Sequence, residues 1–352
     1  MSPLEPTPTD RMERALAELR RGAPVRIGAR VIAAAETLTP PRMAAMLGAG
    51  AVLALTARRA QVLKLRAYDG DVARVVLREG ADAALVGALA DPALDMATPM
   101  KGPFETLREG DATSERIGIL LAKRAGLLPA VLSADMPGGD LIDVDPAQVG
   151  PLLEADALRL DRFAEAKVPL ALAPEARLVG FRPSDGGRDH WAIVVGTPSP
   201  REPVLVRAHS ECFTGDLLGS LKCDCGPQLR TALAQIAARG AGVLLYLAQE
   251  GRGIGMANKL RAYALQDQGF DTVDANHRLG FEDDERDFRV AALMLRSLGF
   301  EAVEVMTNNP RKLRGFARHG FEVAGRVPLA VGRTAQNEAY LATKAARSGH
   351  ML

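Results

Sequence analysis

Three cysteines, Cys212, Cys223 and Cys225, are the only ones in 352 residues, and all fall within "HSECFTGDLLGSLKCDCG". Their spacing is C-x10-C-x-C. Thiolates are soft ligands suited to zinc. A structural zinc site fills four positions with protein ligands, whereas three ligands leave one position for water, which zinc can ionise near neutral pH. On spacing alone other readings stand. His209 could close a four-ligand structural site. The cysteines could form a redox group, although C-x-C is not the usual C-x-x-C. They could also be unrelated buried thiols.

The elements that must hold these residues have a clear rhythm. Residues 189–196 ("DHWAIVVG"), 204–210 ("VLVRAHS") and 242–248 ("GVLLYLA") read as strands. Residues 225–240 ("CGPQLRTALAQIAARG") read as a helix with Leu229, Leu233 and Ile236 on one face, stopped by Gly240. A Gly-rich loop, "QEGRGIG", leads into a helix over 256–269; 284–299 and 310–320 read as further helices, 302–307 and 321–329 as strands. The alternation predicts an α/β class: two domains, each a mixed or mainly parallel sheet covered by helices. The first domain, 1–150, contains short apolar segments such as "AVLALTA" and "DAALVGALA". The second spans 160–352, and the boundary falls between 145 and 165 in a Pro/Gly/Asp-rich stretch, 137–151, read as loop. At the N-terminus, 3–8 reads as a disordered lead-in, followed by a helix with Asp10 as N-cap and Gly22 past its end.

Composition excludes several classes. A formal net charge of +1 selects neither nucleic acid nor an anionic membrane. The apolar run at 46–57 is shorter than the roughly 20 residues a bilayer span needs, and no secretory leader is evident. Three thiols with no full pairing fit a reducing, cytoplasmic location.

Longer motifs carry a resemblance. "VRAHSECFTGDLLGSLKCDCGPQL", "LAQEGRGIGMANKLRAYALQDQGFDTVDAN", "LGFEDDERDFRVAALMLRSLG", "TNNPRKL" and the C-terminal "RVPLAVGRTAQNEAYLATKAARSGHML" resemble GTP cyclohydrolase II, over 162–352. The resemblance implies a zinc-dependent homodimer in riboflavin biosynthesis. It would open the imidazole ring of GTP, remove carbon 8 as formate and release pyrophosphate, leaving a diaminopyrimidine ribosyl monophosphate. It implies Cys212, Cys223 and Cys225 as zinc ligands, and Asp284, Arg286 and Tyr263 as catalytic residues. Arg286 would act as a phosphate clamp more readily than as a nucleophile, because guanidinium stays protonated. Substrate contacts would come from Arg207, His209, Ser210, Glu211, Gln228, Glu250, Gly251, Arg252, Thr272, Thr307 and Lys312, with Mg²⁺ on the phosphates. Without the resemblance, the acids at 283–285 read as a helix cap, Tyr263 as a half-buried core residue and Lys312 as a solvated lysine. Two rival functions remain: a paralogue acting on another purine or a pyrimidine ring, and a non-catalytic, zinc-stabilised nucleotide-binding scaffold.

Residues 12–135 resemble 3,4-dihydroxy-2-butanone 4-phosphate synthase through "ALAELRRGAPVRI", "AAAETLTPPRMAAML" and "LLAKRAGLLPAVLSADM". The acidic loop of that family is missing: 24–36 contains no acid before Glu36, and Ser114 stands near the place of its histidine. A carbanion-forming reaction needs acids to hold Mg²⁺ and groups to move protons, so this domain is expected to be degenerate and inactive as a synthase.

Overall fold

The computed structural model describes residues 4–153, 158–329, 331–332, 334 and 347. Most of the C-terminal stretch of the resemblance therefore lies outside the described residues. The chain forms two compact units: Met1–Ala157 with Ile254–Glu285, and Leu158–Gly253 with Arg286–Leu352.

In chain order, the first unit contributes α1 (Pro8–Arg20), β1 (Val25–Ile27), β2 (Arg30–Ala34), α2 (Pro40–Gly48), β3 (Val52–Thr56), α3 (Ala57–Val62), β4 (Val72–Val76), α4 (Ala83–Ala90), β5 (Glu105–Thr106), α5 (Thr113–Arg124), β6 (Ala130–Ala134), β7 (Asp143–Val144) and α6 (Pro146–Leu153). The second unit adds β8 (Leu160–Lys167), β9 (Ala176–Pro183), β10 (His190–Val195), β11 (Val204–Ser210), α7 (Cys225–Arg239) and β12 (Gly242–Leu247). The chain returns to the first unit for α8 (Met256–Asp267) and α9 (Thr272–Arg278). It closes in the second with α10 (Arg289–Ser297), β13 (Ala302–Met306), α11 (Pro310–Arg318) and β14 (Glu322–Val327).

The first unit's sheet has the order β5-β4-β3-β6-β2-β1-β7 and is antiparallel except for the β1–β7 pair. Its central strands β2, β3 and β6 are buried on both faces, which explains the continuous apolar run "VIAAA" where a one-sided strand would alternate. Ile32 and Ala34 face Leu16, Leu19 and Leu121 of α1 and α5; Val31 and Ala33 face Met43, Met46 and Leu89 of α2 and α4. A separate cluster packs Ala262 and Leu265 of α8 and Ala275 of α9 with Leu128, Leu279 and Phe281.

The second sheet runs β14-β13-β11-β12-β10-β9-β8, parallel from β14 to β12 and antiparallel beyond. Val204, Val206 and Ala208 of β11 face α10 and α11 through Val290, Leu295 and Phe316, while Leu205 faces Leu233 and Ile236 of α7. Both sheets are mixed and covered by helices, as the sequence predicts.

Local expectations meet three corrections. Thr7, not Asp10, is the N-cap of α1: Thr7 Oγ1 accepts from the Asp10 N–H at 3.2 Å, and the Asp10 carboxylate accepts from the Thr7 N–H at 2.7 Å. The acid is thus the inner half of a capping box, and the helix starts within the expected lead-in. Residues 284–288 precede α10 instead of opening it, and the stretch read as loop at 137–151 contains β7 and the start of α6.

Candidate metal centre and active site

In the second unit, β11 is flanked by β12 on one side and β13 on the other. The connection from β11 to β12 runs through α7 on one face, and α10 precedes β13 on the other. Such a reversal of direction opens a crevice at the carboxyl ends of the strands, where ligands bind in open α/β sheets. Ser210, Leu247 and Met306 end the strands there.

The cysteines gather just beyond. Cys212 precedes a single π turn, Phe213–Leu217, and its Sγ accepts from the Gly215 N–H at 3.3 Å. Cys225 is the first residue of α7, with Cys223 two residues before it. Cys212 Sγ and Cys223 Sγ are 3.7 Å apart, and the three Sγ atoms lie within 4.8 Å of one another with no disulfide among them. A Cβ on Gly215 would sit 2.7 Å from Cys223 Sγ and 3.0 Å from Cys212 Sγ. Only glycine lets the turn fold over the sulfurs, so the cradle is shaped around the thiol group. The adjacent Cys212 thiol, with burial, pushes the Cys223 and Cys225 thiols above their ordinary range, a balance that a cation among them reverses. The donor set and its crowding fit a metal ion.

Beside the sulfurs lies a carboxylate that sequence reasoning did not single out. Asp216 accepts from the Cys212 N–H at 3.0 Å, from the Tyr246 hydroxyl at 3.0 Å, and meets His209 Nε2 at 3.1 Å through both oxygens. Tyr246 stacks on His209 with ring centroids 5.7 Å apart. His209 is therefore held by Asp216 and is not part of the sulfur cluster. Burial keeps its imidazole below the usual range despite the carboxylate. Only the i, i+4 offset of Asp216 from Cys212 hints at this role in the sequence.

Two buried cations line the same strand ends. Arg207 donates to the Met306 carbonyl at 3.0 Å and to Gln228 Oε1, and Gln228 in turn donates to Asp224 at 2.6 Å. Burial lowers the Arg207 pKa to about 10, which leaves it charged at neutral pH. Lys312, on α11, is 6% exposed and donates to the Ala208 carbonyl; the solvated-lysine reading fails. Thr307 Oγ1 accepts from the Asn309 N–H at 2.9 Å. Glu211 pairs with Arg188, and Glu250 accepts from the Phe213 N–H at 2.7 Å and the Gly251 N–H at 2.9 Å. Gly251 and Arg252 both hold left-handed backbone, at φ 63° and 62°, a conformation costly for arginine and concentrated at functional sites. Among the described residues, the buried side-chain atoms without a hydrogen-bond partner include Arg207 Nε, His209 Nδ1, Ser210 Oγ and Gln249 Oε1. Unpaired buried polar atoms are costly, and these four lie on β11 or just past the end of its neighbour β12, where a polar ligand or water would satisfy them.

Arg286 also belongs to this unit, its guanidinium 5.1 Å from the Phe288 ring centroid. Tyr263, Thr272 and Asp284 belong to the first unit. There Lys259 Nζ lies 5.7 Å from the Tyr263 ring centroid, and Thr272 Oγ1 accepts from Gln266 at 3.3 Å.

Comparison with known proteins places this architecture. The family model for GTP cyclohydrolase II matches residues 161–328. The chain is 47% identical over 368 residues to GTP cyclohydrolase-2 of Azospirillum brasilense, covering 99% of this chain and 96% of that protein. The chain belongs to the GTP cyclohydrolase II family. Shorter members of the family match part of it: GTP cyclohydrolase-2 of Cronobacter sakazakii is 56% identical over 195 residues, which is 55% of this chain and 98% of that protein. That of Salmonella typhimurium is 54% identical over 195 residues, or 55% of this chain and 99% of that protein. Among solved structures, a two-domain 3,4-dihydroxy-2-butanone 4-phosphate synthase from A. baumannii aligns with 91% of this chain and 99% of its own, at 18% identity and a TM-score of 0.30.

A histidine at the edge of this family site makes a stability prediction. His190 Nδ1 accepts from the Ala248 N–H at 3.0 Å, and burial pushes the imidazole down to about 4. The fold therefore favours the neutral ring. Its contribution is present above the unfolded pKa of about 6.5 and is lost as pH falls from there toward 4, a difference of about 3 kcal/mol. His190→Asn, which keeps an acceptor but does not titrate, is expected to flatten the loss of denaturation midpoint between pH 6.5 and 4. An unchanged slope would assign that loss to other groups.

Proposed function

We propose that this chain is a zinc-dependent GTP cyclohydrolase II of riboflavin biosynthesis. It would convert GTP to 2,5-diamino-6-hydroxy-4-(5-phosphoribosylamino)pyrimidine, formate and pyrophosphate. The observation that carries the reading is the convergence of three thiols, two of them buried, just past the end of β11, beside the buried cations Arg207 and Lys312 and unpartnered polar atoms. Zinc on Cys212, Cys223 and Cys225 would supply Lewis acidity and lower the pKa of a coordinated water. The chain's own groups supply the rest. Arg207 and Lys312 offer two full positive charges to an anionic substrate, Gln228 orients Arg207, and Thr307 fixes the turn before α11. His209, Ser210, Glu211 and the loop Glu250–Arg252 offer polar contacts. Asp284 and Arg286 would serve pyrophosphate release, where positioning and charge neutralisation dominate, and Tyr263 and Thr272 complete the set. Mg²⁺ would accompany the triphosphate.

The domains are read as 1–150, synthase-like without synthase activity, and 160–352, the cyclohydrolase. The β1–β2 connection supports the first: Ile27 pairs with Arg30, leaving a two-residue turn and no acidic loop, and the Ser114 hydroxyl is spent on the Ile27 carbonyl at 2.8 Å. No described helix is long and apolar enough to cross a membrane; a cytoplasmic location and a homodimeric assembly belong to the same proposal.

Zinc-loaded protein given GTP and Mg²⁺ is expected to release formate and pyrophosphate in equal amounts, with the pyrimidine identified by mass. GTP bound but unchanged, with zinc intact, would overturn the reading.

A further inference from the structure

Segment 280–285, which carries Asp284, lies in the first unit and is gripped there by residues of the N-terminal region. The Thr56 hydroxyl donates to the Gly280 carbonyl at 2.8 Å. A Cβ on Gly280 would lie 2.9 Å from both Pro129 Cγ and Thr56 Oγ1, and its φ is +88°. The approach is so close that only glycine fits. Phe281 is buried in the cluster containing Leu128, with Lys123 Nζ 5.5 Å from its ring centroid. Arg58 embraces the Glu282 carboxylate from two nitrogens at 2.7 to 3.0 Å. Lys123 donates at 2.6 Å to Glu285, which also accepts from the Glu282 N–H at 2.9 Å.

Asp284 thus sits between two carboxylates that are each held by a cation from the N-terminal region. Surface ion pairs contribute little to stability, yet a bidentate Arg–carboxylate fixes geometry, and small displacements of a reacting group are costly to turnover. The Cronobacter sakazakii relative is matched over 98% of its length by 55% of this chain, whereas the Azospirillum brasilense relative is matched over 99% of this chain. The extra length in the longer members would then have a use.

We propose that Arg58 and Lys123 are positioning residues for the Asp284 loop, so that a region without synthase chemistry sets the turnover of the cyclohydrolase. The proposal rests on the function argued above. Full-length, zinc-loaded Arg58→Gln/Lys123→Gln protein is compared with wild type in turnover of GTP and in amide hydrogen exchange over 281–285. The expected result is a kcat about tenfold lower, KM for GTP and zinc content unchanged, and faster exchange in the segment. The exchanged pair Arg58→Glu/Glu282→Arg is expected to restore slow exchange and part of kcat, which general destabilisation would not. Unchanged exchange, or faster exchange with unchanged kcat, overturns the proposal. Wild-type protein that turns over no GTP defeats the functional reading instead, and the exchange comparison tells the two failures apart.

Discussion

Cys223→Ser protein is expected to purify without stoichiometric zinc and to lose about three orders of magnitude or more of GTP turnover. Cys223 is 5% exposed and its sulfur lies 3.7 Å from that of Cys212. A serine hydroxyl is a harder donor that does not ionise near neutral pH, so only two thiolates would remain for the metal. The fold should survive, because the sheet is held by the separate clusters on its two faces; burying a hydroxyl costs about 1–3 kcal/mol. Metal analysis, circular dichroism and formate release on one preparation check the claim. A redox role predicts a different pattern: wild-type activity that survives chelation but falls on oxidation. Wild-type activity lost to a chelator and restored by zinc, with no restoration in Cys223→Ser, is the outcome expected here. Zinc and turnover retained in the variant would remove the three cysteines from the chemistry.

What the sequence disclosed and what it hid divide along physical lines. Helix α7 and strand β12 were legible because period and punctuation agree: Leu233 and Ile236 recur on one face, and Gly240 ends the helix in left-handed backbone at φ 88°. Strands β8 and β9 were not singled out. Most of β8 is exposed, so it lacks the apolar alternation that marks a half-buried strand. The return of residues 254–285 to the first unit leaves no local trace either. Helix α8 buries Asn258 and Lys259 beside Ala262 and Leu265 and α9 buries Asn276, so neither shows a clean apolar face, and only tertiary packing decides that Ala262, Leu265 and Ala275 bury against Leu128. Lys312 shows the same limit: a lysine in "NNPRKL" looks solvated until the fold places its ammonium on the Ala208 carbonyl. The cysteine cluster was the most legible part of the site, because scarcity and spacing are properties of sequence itself.

Asp216→Asn is expected to weaken zinc affinity by about 10- to 100-fold, the usual cost of losing a partner that orients a metal ligand, and to lower thermal stability. The carboxylate serves three neighbours at once: the Cys212 N–H, the Tyr246 hydroxyl and His209 Nε2. Its side chain is 6% exposed, so water cannot readily replace it. An amide offers one acceptor oxygen and one donor nitrogen where the carboxylate offers two acceptors. At least one of the three neighbours loses its partner, at about 1–3 kcal/mol. The sense of the His209 hydrogen bond is also at stake. A carboxylate only accepts, so Nε2 of the neutral ring carries the proton, and the unpartnered Nδ1 is left as an acceptor for a ligand. If the asparagine turns its amide nitrogen to His209, the proton moves to Nδ1, and the ring offers a ligand a donor in place of an acceptor. Zinc affinity by chelator competition, unfolding midpoint and KM for GTP therefore shift together in Asp216→Asn, whereas Tyr246→Phe, which removes only one of the three donors, changes zinc affinity little. Equal zinc affinity and KM in Asp216→Asn and wild type would reduce Asp216 to a packing residue and leave the orientation of Cys212 and His209 to the backbone alone.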